Sequence, residues 1–250
     1  AVGGLIVASF ALPNLLQVFN FFGIKSSRDR FKIKRALESL KKQSLEKIVE
    51  VMLLEANQII STIGAIDDIE SEIAEIRDGL VLFINKHSVY LNDILKNINS
   101  SENINSLKET TQKLTDIKEE SDKAGKLAED LDLFYENKKA VKIAEQRFSK
   151  ISTQIRKMHI NSDDSKIVEN IMKESRRNID EAKNLSNESF EYFLKESQVF
   201  KNFIESGEGS HFPSNIKEDK YIKTLVQTSL IKIKIAYKGF ISISELVNRK

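Results

Sequence analysis

The sequence predicts an all-α fold, an elongated antiparallel bundle of about five or six long helices with coiled-coil-like seams. Three observations carry that expectation. Two Pro and nine Gly in 250 residues leave few places where a helix must stop, against the roughly 30 that ordinary usage would supply. Charged residues make up 30 % of the chain and hydrophobic residues 40 %, the mixture that long amphipathic helices need. Apolar residues recur every three or four positions over most of the length, which is the spacing of a helix face.

The first 24 residues, AVGGLIVASFALPNLLQVFNFFGI, carry no charged side chain. They pass the length test for a membrane-crossing helix, about 20 apolar residues. Pro13 and Asn14 interrupt the run, and Gln17 and Asn20 follow. Pro13 removes a backbone donor and disfavours helix at Leu12. Two short apolar helices, 1–12 and 14–23, joined by a bend are therefore expected in place of one straight span. Leu5, Ile6, Val7, Phe10, Leu12, Leu15, Leu16, Phe19, Phe21 and Phe22 are the side chains expected to face lipid. A basic run follows at once, Lys25, Arg28, Arg30, Lys32, Lys34 and Arg35, broken by a single acid. It would sit as a collar at anionic headgroups. Residues 1–24 thus form one segment and 25–250 a helical bundle domain.

Within that domain, Ser26 and Ser27 are candidate N-caps, with Asp29 in the first turn. Ile33, Leu37, Leu40, Ile48, Met52, Ala56, Ile59 and Ile63 define a face. Gly64 and the Asp67–Asp68 pair predict a turn, in preference to one helix from 27 to 97. Ile66, Ile69, Ile73, Ile76, Leu80, Phe83, His87, Tyr90 and Ile94 then alternate spacings of three and four, a heptad seam. Asn97 to Asn105 is a loop by composition. Thr110, Leu114, Ile117, Ser121, Ala124, Ala128, Leu131 and Tyr135 form the next seam. Its middle, Ser121 to Ala128 beside Gly125, is small and polar, so it buries little apolar area and is expected to be loosely held. Val141, Ala144, Phe148, Ile151, Ile155 and Met158 follow. Ser162 and Asp163–Asp164 mark a fresh helix start, leading to Val168, Ile171, Ser175, Ile179 and Ala182 and then to an aromatic half with Phe190, Phe193, Phe200 and Phe203. Residues 206–215, SGEGSHFPSN, are the strongest loop and the weakest internal boundary. Residues 230–244 alternate like a β-hairpin, yet Val226, Leu230, Ile233, Tyr237, Phe240, Ser244 and Val247 fit a helix. Consistency with the rest of the chain favours helix.

Chemistry is sparse. With no Cys, disulfides and thiolate metal sites are excluded. Lys and Arg number 39 against 37 Asp and Glu, a net charge of +2, which argues against binding nucleic acid through general basicity. No P-loop, GxGxxG or GxSxG pattern occurs, and Gly207-Glu-Gly209 follows no strand. His87, His159 and His211 stand far apart, without the spacing of a metal site. His87, on a seam, is expected to be a core or boundary histidine with a local hydrogen bond. The acidic pairs are helix-start or local charges, and residues 161–174 lack the central Gly of a calcium loop. A non-enzymatic protein follows, with no cofactor, no metal, no nucleic acid and no small-molecule substrate.

Long amphipathic helices, absence of Cys and one concentrated apolar segment together resemble the general plan of α-helical pore-forming toxins, the cytolysin A, haemolysin BL and xenorhabdolysin class. No single motif carries the likeness. In that class the apolar head lies between helices, whereas here it stands at residues 1–24. The resemblance implies that residues 1–23 are stored against the bundle in water and released to lipid by a population shift. It implies a lipid membrane as partner, with oligomer formation, and a secreted or membrane-associated location. The other expectation is a coiled-coil scaffold that binds a protein partner and is anchored by residues 1–24. The regular seams at 66–94 and 141–158 favour it, because they need no conformational change to account for them.

Overall fold

The computed structural model describes residues 26–66, 71–100, 104–158, 162–206 and 220–248. All described elements are α-helices: α1 (Ser27–Gly64), α2 (Ser71–Ser100), α3 (Ile104–Lys157), α4 (Ser162–Ser206) and α5 (Lys220–Asn248). The chain is all-α, as its periodicity predicts. Helix α5 runs straight through residues 230–244, so the hairpin alternative falls. The apolar segment 1–24, and residues 207–215 of the expected loop, lie outside the described residues.

Helix ends follow local chemistry. Ser26 stands at the N-cap of α1 in extended conformation (φ −70°, ψ 127°), but its hydroxyl makes no capping bond. Its carbonyl instead accepts the Arg30 N–H at 3.1 Å. Helix α1 stops at Gly64, and the Ala65 N–H closes on the Ser61 carbonyl at 3.2 Å, so the turn expected here is present. The last turn of α3 carries Arg156 and Lys157, cations that complement the negative end of the helix dipole.

Two compact units divide the chain. The first holds α1, α2 and α3 up to Gly125; the second holds α3 from Lys126, α4 and α5. The division falls inside α3, whose 54 residues are one unbroken helix. Its two expected seams therefore belong to one element.

The core of the first unit is aliphatic. Leu45, Ile48, Val49 and Met52 of α1 meet Leu91, Ile94 and Ile98 of α2, with Leu114 and Ile117 of α3. Three seam positions expected from sequence are corrected. Leu40 is 59 % exposed, because it lies five residues before Leu45 and so about 140° around the helix. Tyr90 is 42 % exposed while Leu91 beside it is 1 % exposed. A strict three-four repeat drifts about 20° per heptad on a straight helix. Over the three heptads of α2 from Ile73 to Ile94 that amounts to about 60°, and the buried line steps from Leu80 to Ile84, Leu91, Ile94 and Ile98. In α3 the buried line passes through Phe134 in place of Tyr135, with Leu131, Val141 and Ala144 also buried.

In the second unit, Val141, Ala144, Ile179, Ala182, Ile233, Ala236 and Phe240 make one core cluster, and Phe134 stacks on Phe190 with ring centroids 4.7 Å apart. Met158, expected on this seam, lies past the end of α3 and is largely exposed. Between α4 and α5 small residues accompany Ile179, Ile233 and Phe240 in the contact. The Ser229 hydroxyl donates to the Ala182 carbonyl at 2.9 Å, and the Ser175 hydroxyl to the Ala236 carbonyl at 3.4 Å. A methyl group on Gly239 would lie 2.4 Å from the Ser175 Oγ and 3.1 Å from Ile171 Cγ2, so glycine is what lets these backbones approach. Asn137 of α3 is 1 % exposed, and neither its Oδ1 nor its Nδ2 has a hydrogen-bond partner.

Candidate functional site

The lipid-facing side chains expected from Leu5 to Phe22, and Lys25 of the collar, lie outside the described residues. The remainder of the collar is placed on the first turns of α1. Arg28, Lys32, Lys34 and Arg35 are exposed and Arg30 is half-buried. Phe31, interleaved among them, is 55 % exposed, and the Arg35 guanidinium lies 4.6 Å from its ring centroid. Lys34 approaches Glu38 only to 4.0 Å. No residue of α1 before Leu45 is buried. The helix thus begins well ahead of the point where it joins a core, and that leading part is where the basic residues cluster. Among the described residues no helix is long and apolar enough to cross a membrane.

His87 is a titratable seam residue with hydrogen-bonding partners on a second helix. Its Nδ1 stands 3.0 Å from the Ser121 Oγ and its Nε2 3.1 Å from a Glu120 carboxylate oxygen. The neutral ring with its proton on Nε2 satisfies both contacts: Nε2–H donates to Glu120, and Nδ1 accepts the Ser121 hydroxyl. Burial pushes the imidazole down to about 4. The Glu120 carboxylate acts in the opposite direction, and desolvation outweighs it. Phe83 packs on the ring at 4.3 Å between centroids. The expectation of a boundary histidine holds, but its hydrogen bond is not local, since 34 residues separate it from Ser121.

The second unit holds a feature that sequence reading missed. A cleft of about 560 Å³ lies between the last turns of α3 and the first turns of α4. Phe148, Ser152 and Ile155 form a stripe on α3, and Val168, Met172 and Arg176 one on α4. Each set repeats at three or four residues, so each lies on one helix face. Helix α5 approaches α4 through Gly239 on the neighbouring stripe, Ile171 and Ser175, and none of its described residues lines the cleft. Arg156 and Lys173 stand at the walls together with Glu169. The Arg176 side chain is held by Asp180 at 3.0 Å and lies 5.5 Å from the Phe148 ring centroid.

Among the described residues no three acids or histidines stand together in a way that could hold a metal ion. His159 and His211 lie outside them. Comparison of the chain with protein families, with curated proteins and with solved structures returned no match.

Proposed function

We propose that this is a membrane-interacting helical-bundle protein, with residues 1–23 as its lipid-facing element and the basic start of α1 as its headgroup contact. One observation carries the proposal: a charge-free run of 24 residues joined directly to an exposed basic helix start. The position of the collar supports it. Arg28, Lys32, Lys34 and Arg35 lie on a stretch of α1 that contributes nothing to the core. Basic residues with an exposed Phe suit the interface between headgroups and acyl chains, where the ring enters and the cations meet phosphate. Pore formation, the finer version, adds that residues 1–23 leave the bundle when lipid is present.

The test is flotation with phosphatidylglycerol vesicles and release of a trapped dye. The full chain is expected to float and to release dye, and the chain lacking residues 1–23 to do neither. Unchanged flotation and leakage after that deletion would sink the proposal. A chain that floats without releasing dye is an anchored scaffold. Exposed Leu82 and Val89, seven residues apart on one face of α2, favour that second reading because they offer a protein partner an apolar stripe.

A further inference from the structure

We propose that the cleft between the ends of α3 and α4 binds a single-chain anionic amphiphile, a fatty carboxylate. The inference does not rest on residues 1–23. Its first support is the floor. Two antiparallel helices leave a groove on each side of their contact, and no described residue of α5 lines this one. Phe148, Ile155 and Met172 are therefore half-buried, with apolar surface still in contact with water. An acyl chain laid along the groove would remove that surface from water. The volume, about 560 Å³, falls within the roughly 300–1,000 Å³ that small-molecule sites occupy.

The second support is charge. Arg156 on one wall and Lys173 on the other are exposed, and neither has an ion-pair partner among the described residues. Arg176 adds a third cation, already shared between Asp180 and the Phe148 ring. The opposing charge on the walls is Glu169. With Arg176 balanced by Asp180, Arg156 and Lys173 against Glu169 select an anion, and an apolar floor beside them selects one that carries a hydrocarbon chain. Met158 and Met172 line the same space; unbranched and adaptable, they can follow a flexible chain. A head on two acyl chains would be held in its bilayer by the second chain, so the occupant is a molecule free in solution.

The experiment is calorimetric titration of the full chain with dodecanoate below its micelle concentration. Saturable binding of one molecule per chain is expected, with dodecanol at least tenfold weaker and acetate giving no heat. The double substitution Arg156→Ala, Lys173→Ala is expected to weaken dodecanoate at least tenfold with an unchanged circular dichroism melt, since both side chains are exposed and unpaired. Arg156→Lys with Lys173→Arg is expected to keep binding. Met172→Glu, which sets a carboxylate in the floor, is expected to abolish it. Equal affinity for dodecanol, or full dodecanoate affinity in the double alanine variant, overturns the proposal. So does a double variant that loses flotation on phosphatidylglycerol vesicles while keeping dodecanoate, because the cleft is then a bilayer contact.

Discussion

The α1–α2 pair packs through large aliphatic side chains, and the α4–α5 pair sets small residues among its large apolar ones. In the first, Leu45, Ile48, Val49 and Met52 interlock with Leu91, Ile94 and Ile98. Its stability comes from apolar area removed from water. In the second, Ser175, Ala182, Ser229, Ala236 and Gly239 bring two backbones together. Hydroxyls donate across this close approach, and Ile179, Ile233 and Phe240 bury apolar area beside it. The first pair tolerates changes of shape but not of volume lost. The second tolerates almost no volume gained.

That contrast can be broken by mutation, and the largest effect belongs to the aliphatic pair. Leu45, fully buried, should cost about 2–5 kcal/mol when changed to Ala, by transfer loss plus the cavity left behind. Urea unfolding would measure it. In the small-residue pair the sign of volume reverses: Gly239→Ala adds one methyl group 2.4 Å from Ser175 Oγ and should cost about 1–3 kcal/mol by overpacking. If Gly239→Ala is neutral, the two helices are not held at the distance described.

His87 gives the aliphatic unit a pH dependence of its own. Its folded pKa, about 4, lies below the unfolded value of roughly 6.5. The unfolded chain therefore takes up the proton first. The contribution is complete above about pH 6.5 and is lost as pH falls towards 4. Partial exposure and the Glu120 carboxylate limit the loss to about 2 kcal/mol. Hydrogen exchange of α1 and α2 amides, compared between the native chain and His87→Gln at pH 7 and pH 4.5, would show it; equal slopes in both chains would remove His87 from the account. The smallest effect tests the second unit's polar seam. Asn137→Leu replaces a buried amide without partners by an apolar side chain of the same branching. A gain of about 1–2 kcal/mol in urea unfolding is expected. A loss of that size would mean that the amide is satisfied.

Much of this architecture was legible in the sequence, because few breakers and a three-four period leave little but helix. Gly64 with Asp67–Asp68 located the first turn, and Ser162 with Asp163–Asp164 located the start of α4. The exact buried lines were harder. Tyr90 fits a seven-residue repeat, but a straight helix has 3.6 residues per turn, and the accumulated drift hands its place to Leu91; in α3 tertiary packing buries Phe134 in place of Tyr135. His87 could be placed on a seam, yet nothing near it in sequence names Glu120 or Ser121, which arrive by tertiary packing. The cleft was hidden for the same reason. Arg156 looks like an ordinary helix-end cation, and Lys173 like a solvated face, until two helices bring them to opposite walls. The small-residue contact left a trace in Ser175 and Ala182, but Gly239 suggested a hairpin turn and not a helix crossing.

The two hydroxyl bonds that join α4 to α5, Ser229 to Ala182 and Ser175 to Ala236, have a consequence for temperature and solvent. Aliphatic burial weakens on cooling, because its driving force is the response of water to apolar surface. Close contact and hydrogen bonding do not depend on water in that way, and in an apolar medium they are the main forces that keep helices together. Cold would therefore weaken the apolar part of both contacts and leave the hydroxyl bonds of α4 to α5 in place. The chain carries within one sequence a helix pair held by apolar burial and a helix pair that adds hydroxyl bonds to it.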